Sequence, residues 1–279
     1  MLDSLYLIAE IGINHNGDIQ NAKRLIDATF AANWNCVKLQ KRTPELCVPE
    51  HQKNVSKETP WGVMSYLDYK KKIEFDLNDY KKIDDYCNMK PISWSASIWD
   101  MPSLEFITKN FPNVPFIKIP SAMLTNYELI ECAAKTNTKI ILSTGMSTLD
   151  QIDRAIFVLR KHTDNFAILH TNSSYPTPPE DINLSLIPFL QKRYGCEVGY
   201  SGHEQGLEPT VVAAVLGARI IERHITISHE EWGTDQKASL EFHAMKMLRN
   251  RIEEAIISLG DGIKKITNKE SEILKKLKP

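Results

Sequence analysis

The chain has 279 residues, 42% apolar and 25% charged, enough to bury the core of one large α/β domain. Its 34 Lys and Arg stand against 35 Asp and Glu, which excludes a global field for nucleic acid or an anionic membrane surface and leaves any anion to local groups. No apolar run approaches the roughly 18 residues of a membrane span, and the start Met1-Leu2-Asp3-Ser4 lacks the basic flank of a secretory leader, so a cytoplasmic location is expected.

Along the chain, short apolar runs alternate with helical patterns. Strands are expected at residues 5–11, 35–40, 92–98, 115–119, 139–144, 166–172, 196–202 and 219–226. Between them apolar residues recur at three- and four-residue spacing, as in Ala22-Leu25-Ile26-Thr29, Leu149-Ile152-Ile156-Leu159 and Val211-Ala214-Val215. Nearly continuous apolar strands signal a parallel sheet covered on both faces, and eight β/α units in this length predict a TIM (β/α)8 barrel. A doubly wound open sheet is the alternative, disfavoured because no Gly-rich dinucleotide loop follows the first strand.

Residues 42–74, with Pro44, Pro49, Pro60 and Trp61, outrun an ordinary βα loop and are expected to form a lid over the barrel mouth. The last barrel helix is expected at 242–259. The organisation is then a catalytic barrel over residues 1–260 and a Lys- and Glu-rich tail, helical or frayed, over 261–279. The five cysteines, Cys36, Cys47, Cys87, Cys132 and Cys196, include no C-x-x-C pair, so neither a disulfide framework nor a thiolate zinc site is indicated. Most are expected to be small core residues.

Polar residues set into these strands carry the chemistry. Residues two apart share a face of a strand, so Lys38 with Gln40, Ser95 with Ser97, Ser201 with His203, and Glu222 with His224 are four same-face pairs. Glu10, Lys118, Ser121, Ser143, Thr171, Asn172 and Ser173 join them from other strands or their exits. An unpaired buried charge costs several kcal/mol or neutralises itself, so such a set points to a polar ligand. Lys38 alone reads equally well as snorkelling to the rim; with Lys118 it suits a ligand bearing both phosphate and carboxylate. Singly, Ser97, Ser121, Ser143, Ser173 and Ser201 read as ordinary hydroxyls, and only their shared location makes them ligands. Glu10 is either the structural partner of a lysine or a carboxylate that orients a hydroxylated substrate or moves a proton. His203 and His224, at matching strand ends, point as a pair to a divalent metal, where each alone reads as a core histidine. His15 and His170 have weaker claims, and His51, His162, His229 and His243 read as surface.

In order along the chain, Leu7-Ile8-Ala9-Glu10-Ile11-Gly12-Ile13-Asn14-His15-Asn16-Gly17-Asp18, Val37-Lys38-Leu39-Gln40, Ile117-Lys118-Ile119-Pro120-Ser121, Leu142-Ser143-Thr144-Gly145-Met146 and Tyr175-Pro176-Thr177-Pro178 resemble the sialic acid synthase family. So do Gly199-Tyr200-Ser201-Gly202-His203, Glu222-Arg223-His224-Ile225-Thr226 and Gly233-Thr234-Asp235-Gln236. The resemblance implies condensation of phosphoenolpyruvate with the open-chain aldehyde of an N-acetylhexosamine on a TIM barrel, giving a nine-carbon 2-keto-3-deoxy acid and phosphate. It implies phosphoenolpyruvate binding by Lys38, Ser97, Lys118, Ser121, Ser143, Ser173 and Ser201, with catalysis by Glu10, Lys38 and Lys118. The sugar falls to Glu10, Gln40, Tyr175 and Asp235, and Mn²⁺ or Mg²⁺ to His203 and His224. A homodimer is also implied.

Two departures stand out. Where the family has Gly followed by an acid near the sugar after Lys118-Ile119-Pro120-Ser121, this chain has Ala122-Met123, so the expected acceptor is N-acetylmannosamine or a relative, the lost acid leaving the choice between them open. Many members also continue into an antifreeze-like domain that offers an arginine to the partner's sugar. The chain stops at Pro279, which leaves a truncated sequence or a short variant closed by residues 42–74. A sister synthase using another aldose or aldose phosphate shares every phosphoenolpyruvate residue. A metal-dependent hydrolase wants His-x-His at the first strand's end and Asp at the eighth's, against Glu10 and His224 here. A non-catalytic sugar-phosphate binder fits the same residues without turnover.

Overall fold

Each barrel strand is buried along nearly its whole length, which is the physical origin of the continuous apolar runs. The computed structural model describes residues 5–277; residues 1–4 of the expected barrel domain and 278–279 of the expected tail lie outside them. In chain order the elements begin with β1 (Tyr6–Gly12), α1 (Ile19–Ala31), β2 (Cys36–Lys41), α2 (Pro44–Cys47), α3 (Glu50–Lys53), β3 (Ser56–Thr59), β4 (Gly62–Ser65) and α4 (Tyr66–Ile73). There follow α5 (Leu77–Met89), β5 (Ser93–Ile98), α6 (Met101–Asn110), β6 (Ile117–Ile119), α7 (Tyr127–Ala134), β7 (Ile140–Ser143), α8 (Leu149–Arg160) and β8 (Phe166–Thr171). The last are α9 (Leu186–Tyr194), β9 (Glu197–Gly202), α10 (Glu208–Val215), β10 (Ile220–His224), α11 (Phe242–Leu259) and the exposed α12 (Asn268–Leu277). Eight strands close in the order β1-β10-β9-β8-β7-β6-β5-β2, every neighbouring pair parallel. This is the TIM barrel expected from the strand count.

The period-2 alternation sorts the strand side chains into two cores. Leu7, Val37, Leu39, Ile119, Leu142 and Ile221 face outward and pack with helix residues such as Leu25, Ile26, Ile156 and Leu248. Ile8, Cys36, Phe116, Ile141, Ala167, Leu169 and Ile220 form a separate apolar plug inside the barrel. Two residues further along their strands, the same inward face carries Glu10, Lys38, Lys118, Ser143, Thr171 and Glu222, all buried. The barrel lumen is therefore oil at its floor and charge above it.

The segment after β2 is a built subdomain. It contains α2, α3, the antiparallel β3–β4 hairpin and α4. Its two ends are pinned at one carboxylate: Glu74 Oε1 accepts from Lys41 Nζ at 2.6 Å and from the Arg42 backbone N–H at 3.1 Å. Asp100, which caps α6 through Ser103 N at 2.7 Å, also accepts from Thr43 N at 2.6 Å and from Cys47 Sγ at 3.0 Å. The lid's far side meets the loop after β10, where the Trp232 ring lies 6.1 Å from Trp61 and 5.3 Å from Tyr69.

Three expectations require correction. Leu149 and Val215 are exposed, and the buried stripes run through Ile152-Ala155-Ile156-Leu159 and Thr210-Ala213-Ala214. Helix α10 is rotated because Thr210 is needed inward: its hydroxyl donates to the buried Glu204 at 2.6 Å. Only Cys36 and Cys87 of the five cysteines are fully buried, because Cys47 lies in the lid and Cys132 and Cys196 lie at the rim of the helical layer.

The plug sets a stability test. Phe116, 2% exposed, is the largest side chain of the floor, so Phe116→Ala is expected to lower the unfolding free energy by about 3–5 kcal/mol. Urea denaturation measures this, and a loss below about 1 kcal/mol would mean that the floor is not tightly packed.

Candidate active site

Parallel register brings the polar strand ends together. Glu10 on β1 lies opposite Lys38 on β2 and His224 on β10; Gln40 lies opposite Ser97, and Ser97 opposite Lys118. Lys38 Nζ forms an ion pair with Glu10, donates to Ser97 Oγ at 2.7 Å and lies 3.7 Å from Glu222 Oε1. Lys118 Nζ lies 3.6 Å from that same oxygen and donates to Ser143 Oγ at 2.7 Å. Ser201 Oγ donates to Glu222 Oε1 at 3.1 Å, and Gln40 Nε2 to Glu10 Oε1 at 3.0 Å. Two cations and two carboxylates thus compensate one another in the lumen.

Burial disfavours the charged form of Lys118 and brings its pKa down to about 8, with Glu222 opposing the fall and Lys38 adding to it. Burial pushes the Glu222 carboxyl the other way, but Lys118 and Lys38 overcome it and hold the group below the usual carboxylate range. Glu222 was not among the residues expected to act, although its same-face spacing from His224 signals it. Its Oε2 has no partner in the described residues.

A second constellation lies at the exits of β6, β7 and β8. Gly145 N donates to Ser121 Oγ at 3.0 Å. A Cβ on Gly145 would collide with Ser173 Oγ and lie 2.9 Å from Ser121 Oγ, so glycine is what lets the backbone approach both hydroxyls. Ser121, Ser173 and the lumen charges line one cavity of about 280 Å³, together with Ser201, Tyr175, His203 and His224. Of the expected site residues Asp235 alone is outside its wall. Asp235 lines an adjoining cavity of about 310 Å³ under the lid, and the two share Gln40, Trp99, Tyr175 and His224 as a common wall. Met123 is also displaced from its expected place: its side chain packs against the core, and Ala122 lines the cavity.

The two strand-end histidines meet, with ring centroids 5.6 Å apart and the Tyr175 ring 4.0 Å from His203 at a tilt of 31°. His203 Nδ1–H donates to the Asn172 carbonyl at 2.6 Å, which leaves Nε2 as the free lone pair. Burial, and then the neighbouring His224, bring its pKa down to about 3, so the ring is a neutral donor. His224 Nδ1 is buried without a partner. Behind the pair, buried Arg223 donates through Nη1 to Glu204 Oε1 at 3.0 Å and to Thr210 Oγ1 at 2.8 Å, while Tyr200 OH donates to Glu204 Oε2 at 2.8 Å. This network ties the ends of β9 and β10 together.

Among the described residues no three His, Cys, Asp or Glu side chains converge as a closed metal cage. Two facing imidazoles, one of them with an orphaned buried nitrogen, fit an ion that takes its other donors from water and reactants. His15 instead stacks on Phe75 at 4.0 Å and His170 bonds the Ile182 carbonyl at 2.7 Å, both structural contacts.

The Lys118 environment gives a pH signature. Protonated below about 8, Lys118 attracts a phosphate monoester; above that pH binding must first restore its proton. Phosphoenolpyruvate affinity, measured by calorimetry, is expected to fall about tenfold between about pH 7.5 and 9.5, and Lys118→Met to flatten the profile. A wild-type affinity independent of pH over that range contradicts this assignment.

The NeuB family model matches residues 25–264. An N-acetylneuraminate-9-phosphate synthase of Drosophila melanogaster is 36% identical, over 99% of this chain and 73% of its own length. An N,N'-diacetyllegionaminic acid synthase of Campylobacter jejuni is 35% identical over 95% of this chain and 80% of its own. Among solved structures, an N-acetylneuraminic acid synthetase of Leptospira borgpetersenii in complex with citrate matches with a TM-score of 0.86 at 30% identity. That match covers 98% of this chain and 90% of that one.

Proposed function

This chain belongs to the NeuB family, and we propose that it condenses phosphoenolpyruvate with the open-chain aldehyde of an amino sugar. The products are a nonulosonic 2-keto-3-deoxy acid and phosphate. It is an N-acetylneuraminate synthase-like enzyme. The observation that carries the reading is the single cavity in which two buried lysines and a ring of serines face two buried histidines.

In this reading Lys118, Ser143, Ser121 and Ser173 bind the phosphate of phosphoenolpyruvate, and Lys38, Ser97 and Ser201 its carboxylate. C3 bonds to the aldehyde carbon, water adds at C2 and loses a proton, and the C2–O bond to phosphate breaks. Glu10 relays the proton released by that water to the former aldehyde oxygen, and the C2 hydroxyl gives its own proton to the departing phosphate as the keto group forms. Glu222, ionised between the two lysines, keeps their ammonium groups oriented. Gln40 and Tyr175 in the shared wall, with Asp235 beyond it, hold the sugar hydroxyls and fix the aldehyde for attack. His203 and His224 would hold Mn²⁺ or Mg²⁺, which when bound polarises the aldehyde oxygen. The same reading carries a homodimer, on the family resemblance, and a cytoplasmic place of work, where phosphoenolpyruvate is made. No helix of the described residues is long and apolar enough to cross a membrane.

Phosphoenolpyruvate consumption with Mn²⁺ across N-acetylmannosamine, its 6-phosphate, mannose, arabinose phosphate and diamino-sugar aldehydes tests the reaction; no consumption with any of them sinks it. His224→Ala is expected to lower turnover at least about 100-fold and weaken Mn²⁺ binding, read by electron paramagnetic resonance, while the barrel stays folded. Full activity in that variant would falsify the metal assignment.

A further inference from the structure

The condensation consumes an open-chain aldehyde, yet an amino sugar of six carbons in water is almost wholly a closed hemiacetal ring. The ring must open before C3 of phosphoenolpyruvate can attack. Opening needs a base at the anomeric hydroxyl and an acid at the ring oxygen. In the catalytic cavity the carboxylates and ammonium groups are engaged with one another, whereas the cavity under the lid holds an acid and a base that are not.

Lys70, on α4, and Asp235, in the loop after β10, both line that cavity of about 310 Å³, a size that suits a small ligand. The lid's acids are engaged elsewhere: Glu74 with Lys41 at 2.6 Å, Glu45 with Lys71 at 2.8 Å and Glu50 with Lys53 at 2.7 Å, so Lys70 forms no ion pair among the described residues. Its Nζ lies 5.2 Å from the ring centroids of both Tyr66 and Tyr69. Asp235 accepts from Thr234 Oγ1 at 2.7 Å through Oδ1, which leaves Oδ2 for a ligand. Arg42, stacked 3.9 Å over the Trp99 ring, lines the same wall but cannot give up a proton. It acts on Lys70 instead. Burial, and then the like charge of Arg42, bring the Lys70 pKa down to about 8, with Asp235 opposing the fall, so the ammonium is protonated at neutral pH and releases its proton readily.

We propose that Lys70 and Asp235 open the ring of the acceptor sugar under the lid, an activity that also interconverts its two ring anomers. Asp235 takes the proton of the anomeric hydroxyl, and the electron pair of that O–H bond becomes the second bond of the C1 carbonyl. The bond from C1 to the ring oxygen breaks, its electrons pass to that oxygen, and the oxygen takes a proton from the Lys70 ammonium. Return of a proton from Asp235 to Lys70 resets the pair, so no further reactant is consumed. The shared wall of Gln40, Trp99, Tyr175 and His224 then gives the new aldehyde a short passage into the catalytic cavity. The proposal rests on the condensation reading, which is what requires an open chain.

The test omits phosphoenolpyruvate. Exchange between the two ring anomers of N-acetylmannosamine, and of whichever sugar of the panel above is consumed fastest with phosphoenolpyruvate, is read by proton nuclear magnetic resonance in wild type, Lys70→Met and Asp235→Asn. Wild type is expected to accelerate exchange saturably, and each variant to lose at least about 100-fold of that acceleration. Equal exchange with and without the wild-type enzyme overturns the proposal, a result that no misfolded variant can obscure. Acceleration that both variants keep overturns it as well. Neither result touches the condensation, which phosphoenolpyruvate consumption judges separately.

Discussion

Four charges buried in the lumen of a barrel must neutralise one another, and the rest of the site depends on how they do so. Lys38 and Lys118 on one side and Glu10 and Glu222 on the other lie on four strands, so their pairing requires the closed sheet. The arrangement is balanced without being saturated. Glu222 Oε2 remains unpartnered, and each lysine gives one hydrogen bond to a serine rather than to a carboxylate. A ligand with two anionic ends can therefore enter between the lysines at modest desolvation cost, because the protein has already removed them from water. The apolar plug beneath keeps the charges from being hydrated from the other end of the barrel.

Two rigid supports place the remaining groups around this centre. Arg223 immediately precedes His224 in β10 and Glu204 immediately follows His203 after β9, and they clamp those strand ends together, so the imidazoles inherit their spacing from a buried ion pair. Gly12 serves the same end from β1: its φ of 56° suits glycine, and a Cβ there would lie 2.9 Å from His224 Cε1. On the opposite side Glu74 and Asp100 pin the lid's base. The lid divides the mouth into two connected cavities, one suited to a small dianion and the other to a longer polyhydroxylated chain.

Much of this was legible from strand composition, because a parallel barrel strand is buried on both faces and any polar residue in it needs a reason. Lys38, Lys118 and Ser143 stood out against apolar neighbours, and their contacts are those of a shared polar layer. Glu222 was visible as the same-face partner of His224, yet its bridging role depends on Lys118, four strands away around the barrel wall. Arg42 and Lys70 gave no such signal. Both lie in a loop-rich segment where charged residues are usual, and only the fold of the lid shows that one stacks on Trp99 while the other rests on tyrosine rings.

The sequence by itself determined the barrel, the strand registers' inward polar layer and the histidine pair, because period-2 alternation and continuous apolar runs act through local geometry. Tertiary structure alone decided which charges neutralise which, which way α10 turns its face, that Met123 packs against the core, and that Asp235 belongs to a second cavity. Those outcomes depend on distances between strands and loops remote in sequence. Electrostatic compensation and close packing are settled only when the sheet closes and the lid docks.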